Sequence, residues 1–317
     1  MYLSVVVPVY NEYENIPLLY DAVMDALGKM EKEWELILVN DGSKDDSWDA
    51  LKEVAEKDKK HVKVIGLRRN FGQTAAIAAG VDHSEGDIIV LMDADLQNDP
   101  TDIPAMLAKI EEEDYDLVSG WRKDRQDPFL RSFLSKCANR IISKVTGVKL
   151  HDYGCTLKAY RREVITGFRL YGEMHRFIPA FAYAYGANIV EMPVKHHPRV
   201  NGKSKYGFNR ITKVMLDLIT VKFLSKYADK PIYLFGGVGL TLSGVSFFVL
   251  LFLAIRRIFW KVSVMASPLF IMAILVFILG FLSILMGLIA ELLVRTYHES
   301  QGKTVYHIRE MLNFDEE

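Results

Sequence analysis

The chain has 317 residues, 50% of them hydrophobic and 25% charged, with a mean hydropathy of +0.09. That balance is greasy for a soluble enzyme and too polar for a polytopic transporter, and the length allows about two domains. The formal net charge of -1 supplies no global basic field for nucleic acid, and Cys137 and Cys155 lack the spacing of a metal site or the number for a disulfide scaffold.

The opening residues, MYLSVVVPVYNE, carry neither a basic segment nor a long apolar core, so no signal peptide is expected. Leu3 to Val9 predicts a strand and Tyr13 to Lys29 a helix. Glu35 to Asn40 predicts a second strand, ending in the turn Asp41-Gly42-Ser43. Asp45 to Lys57 is helical, Val62 to Leu67 a third strand, and the alanine-rich Gln73 to His83 a helix. Asp87 to Met92 is the fourth strand, Thr101 to Glu113 a helix, and Asp116 to Gly120 a fifth strand. This alternation implies a mostly parallel sheet with right-handed crossovers, an α/β fold of Rossmann type. Further on, Phe129 to Thr146 and Gly172 to Tyr185 read as helices, Ile189 to His197 as a strand, and His151 to Tyr160 as irregular. Arg199 to Tyr206 reads as a basic loop.

The apolar excess is concentrated near the C-terminal end. Pro231 to Ile255 and Val262 to Ala290 carry no charge, and each exceeds the roughly 20 residues that cross a bilayer as a helix. Arg256 to Lys261 would be the loop between them, with basic and aromatic interface anchors. Phe208, Ile211, Met215, Leu218, Ile219 and Phe223 recur at helical spacing just before the first span, as in a helix lying in the membrane interface. The expected organisation is a catalytic domain over 1–205, an interface helix over 206–229, and two transmembrane helices (231–255 and 266–290) within 230–291. A tail follows over 292–317. Without a signal peptide, the large domain and both termini would be cytoplasmic. A helix pair buries little surface by itself, so a homo-oligomer in the membrane is expected.

The apolar run before Asp93-Ala94-Asp95 ends in two carboxylates at the carboxyl end of a strand, where open α/β sheets bind ligands. Such a pair can hold a hard divalent cation that keeps its other positions for water and phosphate oxygens. The plain alternative is a helix cap beside a solvated acid. The dinucleotide fingerprint and the Walker A loop are both absent. A nucleotide would instead be held by acids at strand ends, Glu12, Asp41, Asp93 and Asp95.

Val7-Pro8-Val9-Tyr10-Asn11-Glu12, Val39-Asn40-Asp41-Gly42-Ser43 and Met92-Asp93-Ala94-Asp95 occur in order at three strand ends, and together they resemble glycosyltransferase family 2, which has the GT-A fold. Gly120-Trp121-Arg122, Arg131 to Ser135, His151 to Arg161, His175-Arg176-Phe177 and Asn201 to Tyr206 are similar to its dolichyl-phosphate-mannose-synthase-like branch. With two C-terminal spans, the likeness points to the bacterial polyprenyl-phosphate (undecaprenyl-phosphate) glucosyltransferases. The resemblance implies a nucleotide-sugar donor, a polyprenyl phosphate acceptor at the inner leaflet, and Mg²⁺ or Mn²⁺ on Asp95 with Asp93 near it. It implies that Glu12 and Asp41 meet the base or ribose, that Pro8 and Tyr10 line that pocket, and that Gln97 lies in reach of a phosphate or the sugar. Arg122, Arg131 and Ser135 match acceptor-phosphate positions, and Lys205 is a further candidate. In other members of the superfamily an aspartate in the region of Asp152 acts as a base; here Asp152 would orient the acceptor or hydrogen-bond a sugar hydroxyl. Glucose from UDP-glucose is the expected donor, with mannose or 4-amino-arabinose as alternatives. The rival readings are a synthase with a hydroxyl acceptor, which needs a base, and a nucleotide-sugar-binding scaffold.

Overall fold

The computed structural model describes residues 1–123, 139–140, 142–167, 174–198, 232–261, 263, 267–299 and 305–314. Expectations for Arg131, Ser135, Lys205, the loop 199–206 and the interface helix lie outside the described residues. Two compact units are present, one formed by Met1–Val221 with Thr304–Glu317 and the other by Lys222–Lys303.

In the first unit, β1 (Leu3–Val9), α1 (Ile16–Leu27), β2 (Trp34–Asn40), α2 (Ser47–Lys57), β3 (Val62–Leu67), α3 (Gln73–Asp82), β4 (Ile88–Leu91), α4 (Ile103–Glu112) and β5 (Leu117–Trp121) alternate as predicted. Next come β6 (Lys158–Arg161), α5 (Arg162–Thr166), α6 (Ile178–Ala184) and β7 (Ile189–Pro193). After the helices α7 (Ile232–Trp260) and α8 (Pro268–Glu299) of the second unit, β8 (Ile308–Leu312) rejoins the first. The eight strands form one sheet in the order β7-β5-β6-β4-β1-β2-β3-β8. Strands β6 and β8 run against the others.

The central strands are buried on both faces, which is why they read as continuous Val/Ile/Leu runs rather than alternating ones. Leu3, Val5, Leu36, Leu38 and Val90 pack in one hydrophobic cluster with α1, α2 and α4. Val6, Ile37, Val39, Ile89 and Leu91 pack in the other with α3, α5 and α6. The small residues of α3 let it lie close to the sheet: a Cβ on Gly80 would sit 2.3 Å from Val6 Cγ1.

The chain order reverses at β1, which pairs with β2 on one side and β4 on the other. The β1–β4 pairing stops at Val6 and Leu91, with Met92 N donating to Val6 O. The next residue of β1 facing β4 is Pro8, which has no N–H to offer. Here the strands part, and a crevice opens at a topological switch point.

Several expectations need correction. The end of the segment expected to be irregular, Lys158 to Tyr160, forms β6 with Arg161, a short strand pinned by β4 and β5 on either side. The expected helix over 172–185 is a 3-10 turn at Met174–Arg176 followed by α6, because Pro179 can enter a helix only in its first turn. The expected loop Arg256 to Lys261 is helical through Trp260. No Gly or Pro breaks the run, and the helix stops at Lys261, whose φ is +53°. The second candidate span ends at Ala290 as expected, but its helix runs on to Glu299, and the expected separate tail contains β8.

Helices α7 and α8 are long and apolar enough to cross a membrane, and only 17% and 11% of their most apolar windows are buried. A core helix of a soluble domain would hide most of that surface. Within the pair, Gly239 and Ser243 meet Gly280, and the hydroxyls of Ser246 and Ser283 donate to Ala273 O and Phe235 O. Small residues and serine-to-carbonyl hydrogen bonds are how helices associate without water to drive them together.

Candidate active site

Asp93 and Asp95 stand where β4 ends, at the mouth of the crevice. Asp95 is buried and Asp93 partly so. Asp93 accepts from Gln73 Nε2 on Oδ1 at 2.7 Å and from Thr156 Oγ1 on Oδ2 at 2.8 Å. Asp95 Oδ1 accepts from Gln97 N at 3.2 Å. That turn requires Leu96 at φ +59°, a left-handed conformation that costs an L-residue about 1–2 kcal/mol. Such strain gathers at sites where geometry matters more than stability.

Burial, and then the neighbouring Asp95 carboxylate, push the pKa of Asp93 up to about 6. The charges of Arg122 and Lys158 act in the opposite direction and do not outweigh these two effects. Among the described residues no group of three His, Cys, Asp or Glu side chains is disposed to hold a metal. Two carboxylates nevertheless suit a hard cation completed by phosphate and water, so Asp93 and Asp95 fit Mg²⁺ or Mn²⁺.

Two residues that the sequence reading missed face this site from β6. Because β6 is antiparallel, its entry loop arrives at the same sheet end as the carboxyl ends of β1 and β4. It brings Thr156 to Asp93 and seats Lys158, 2% exposed, within the electrostatic reach of Asp93. Lys158 Nζ donates to the carbonyls of Cys155 and Tyr153, and burial pulls its pKa down. The signal was the alternation Leu157, Lys158, Ala159, Tyr160, which puts Leu157 and Ala159 in one core and Tyr160 in the other.

Asp41 lies at the end of β2 and accepts from the amides of Phe71 (2.7 Å) and Gly72 (3.0 Å), just ahead of α3. Its pKa is raised because burial outweighs these bonds. Gly42 follows at φ +63°, where a Cβ would lie 2.4 Å from Arg69 C. Glu12 Oε2 accepts from Asn15 Nδ2 at 2.5 Å, and its own amide donates to Ser47 Oγ. Pro8 lines the small cavity that also touches Asp93, Lys158 and His175.

The model of glycosyl transferase family 2 matches residues 4–168, which include all of these strand ends. The chain belongs to glycosyl transferase family 2. This family 2 transferase is 41% identical over 314 residues to a dodecaprenyl-phosphate galacturonate synthase of Rhizobium johnstonii, covering 98% of this chain and 93% of that one. It is 37% identical over 311 residues to an undecaprenyl-phosphate 4-deoxy-4-formamido-L-arabinose transferase of Proteus mirabilis, covering 98% and 94%. Among solved structures, glucosyl-3-phosphoglycerate synthase from Mycobacterium tuberculosis in complex with Mn²⁺, uridine diphosphate and phosphoglyceric acid shares the fold. Its TM-score is 0.53 at 17% identity, over 71% of this chain and 78% of that one.

In the transferase, Arg122 and Asp152, expected in separate roles, bind each other. Arg122 Nε donates to Oδ2 at 2.7 Å and Nη2 to Oδ1 at 3.0 Å. Burial disfavours the guanidinium charge, but the bond to Asp152 outweighs it and holds the pKa of Arg122 above its usual value. Asp152 Oδ1 also accepts from Gly154 N. Glu191 of β7 accepts from the amides of His151 and Asp152, and so fixes the turn that presents the carboxylate. An acid with its oxygens committed to a guanidinium and an amide is poorly placed to take a proton. Gln97, by contrast, is partly exposed, and its carbonyl accepts from His197 N.

Proposed function

We propose that this transferase moves a sugar from a nucleotide diphosphate to a polyprenyl phosphate at the inner leaflet of the cell membrane. The observation that carries the reading is the acidic pair at the switch-point crevice, in a chain with two unburied apolar helices. The relatives named for dodecaprenyl and undecaprenyl phosphate align over 98% of its length.

A divalent cation on Asp95 and Asp93 would stabilise the charge gained by the departing diphosphate. Glu12, Asp41, Pro8 and Tyr10 would frame the nucleotide, and Gln97 a phosphate or the sugar. The acceptor needs little activation, since a phosphate monoester has a second pKa near 6 and is mostly a dianion at neutral pH. It attacks the anomeric carbon in line and inverts it. Arg122 would position it, with Arg131, Ser135 and Lys205 as further phosphate partners. The commitment of Asp152 to Arg122 favours this self-activated nucleophile over a hydroxyl acceptor that needs a base.

The names of the relatives favour a uronic acid or a 4-amino-arabinose derivative over glucose. Both ends of the helix pair return to one compact unit, which supports a hairpin with catalytic domain and C-terminal segment on the same, cytoplasmic side. The test incubates the full chain with undecaprenyl phosphate, Mn²⁺ and a panel of UDP-linked glucose, galacturonic acid and 4-formamido-arabinose. Transfer of either of the last two in preference to glucose is expected. Transfer from none would leave the scaffold reading.

A further inference from the structure

The segment 305–314 does more than close the sheet edge. Strand β8 pairs with β3 from Val64–Leu312 to Leu67–Ile308, with an irregularity between Gly66 and Leu67. Just before it, His307 O accepts from Arg68 N at 2.9 Å, and the His307 ring meets Phe71 edge-on with centroids 5.9 Å apart. Phe71 is the residue whose amide donates to Asp41 Oδ1. One position earlier, Tyr306 is 3% exposed and its hydroxyl donates to Asp82 Oδ2 at 2.8 Å. Asp82 ends α3, the helix that opens with Gln73 and its bond to Asp93. Asn313 anchors the far end of the segment, donating to Ala55 O and Val62 O, both at 2.8 Å.

The segment therefore grips α3 at its C-terminal end and the loop 68–72 at the helix's N-terminal end. Those two elements carry Gln73, which holds Asp93, and the amides that hold Asp41. We propose that Tyr306 and His307 are positioning residues for the donor half of the site. The strand that follows the second membrane helix sets the place of Asp41 and Asp93, and so the affinity for the nucleotide sugar. This rests on the reading of that half as a nucleotide-diphosphate site.

A strand that merely covered an edge would contribute stability without selecting one substrate. A brace on α3 and the 68–72 loop predicts a selective effect. Tyr306→Phe removes the bond to Asp82 and keeps the ring, and His307→Ala removes the ring contact with Phe71. In the full chain in detergent, each variant should raise the KM for the sugar donor about fivefold, equivalent to ~1 kcal/mol. The KM for the lipid phosphate should stay within twofold, as should kcat. Binding of UDP with Mn²⁺, measured calorimetrically without acceptor, should weaken by the same factor.

Unchanged donor KM and UDP affinity in folded variants would overturn the proposal, as would equal loss for both substrates. If His307→Ala unfolds the protein, His307→Phe keeps a ring against Phe71 and should restore donor affinity; failure to do so also overturns it. If the wild-type chain itself binds no UDP with Mn²⁺, the nucleotide-site reading has failed, and that result is separate from an unaltered variant of a binding wild type.

Discussion

Arg122 and Asp152 hold one another through two parallel hydrogen bonds, 2.7 and 3.0 Å long, in a pair that is only 13% and 8% exposed. The fork of a guanidinium matches a carboxylate as it matches a phosphate. The acceptor phosphate would thus meet an arginine already oriented, and would compete with Asp152 for it.

The first prediction concerns that pair. Arg122→Ala leaves a buried carboxylate without its cation and should destabilise the full chain by ~3–5 kcal/mol. The double variant Arg122→Met/Asp152→Leu removes both charges and should recover much of that loss, yet remain inactive. Thermal unfolding in detergent and a transfer assay read the two effects apart. Equal destabilisation in the single and double variants would show that the two side chains are not coupled.

The metal pair gives the second. Asp95→Ala should abolish cation-dependent transfer while leaving the melting temperature unchanged or higher, since the Asp95 charge adds to the strain on Asp93. Thr156→Val keeps the shape and removes the hydroxyl that donates to Asp93. It should weaken Mn²⁺ activation by roughly 10–100-fold, the usual effect of losing a hydrogen bond behind a metal ligand. EDTA should silence the wild type, and added Mn²⁺ or Mg²⁺ should restore it. Full activity of Asp95→Ala would remove the pair from the mechanism.

How much of this was legible in the chain depends on the range of the forces involved. Asp93, Asp95 and Asp41 could be read because each interrupts an apolar run at a strand end, a local signal. Gln73, Thr156 and Lys158 could not be linked to Asp93 that way, because only the antiparallel insertion of β6 beside β4 and the approach of α3 bring them together. Strand β8 escaped notice for a different reason. At the sheet edge it carries Arg309 and Glu310 outward, so Ile308-Arg309-Glu310-Met311-Leu312 lacks the apolar pattern of the central strands. The clasp of Arg122 and Asp152, 30 positions apart, has no local sequence signature.

The third prediction is a pH dependence. Asp99 is buried enough that desolvation raises its pKa, but hydrogen bonds from Thr101 and His197 and the charge of Lys195 bring it down to about 2. A folded-state pKa below the unfolded value means stability that is complete above about pH 4 and is lost as pH falls toward 2. The partners Lys195 and His197 are more than half exposed, so solvent screening leaves on the order of 1 kcal/mol. Asp99→Asn should be less stable than wild type at pH 6 and nearly equal to it at pH 2. Melting curves at the two values decide this, and parallel curves would refute it.

The helix pair supplies the last. A Cβ on Gly280 would fall 2.5 Å from Ser243 Oγ and 2.8 Å from Gly239 O, whereas one on Gly237 would meet nothing within 4 Å. Gly280→Leu must push α7 and α8 apart and break the bonds from Ser246 to Ala273 O and from Ser283 to Phe235 O. Gly237→Leu adds the same bulk to the same pair without touching the crossing, and gains helix propensity of up to ~1 kcal/mol. If the lipid acceptor is presented by an intact hairpin, Gly280→Leu should raise its KM and lower thermal stability in detergent, with the donor KM unchanged. Gly237→Leu should match the wild type in both KM values and melt no lower than it. Equal behaviour of the two variants would mean that close helix contact plays no part in receiving the lipid.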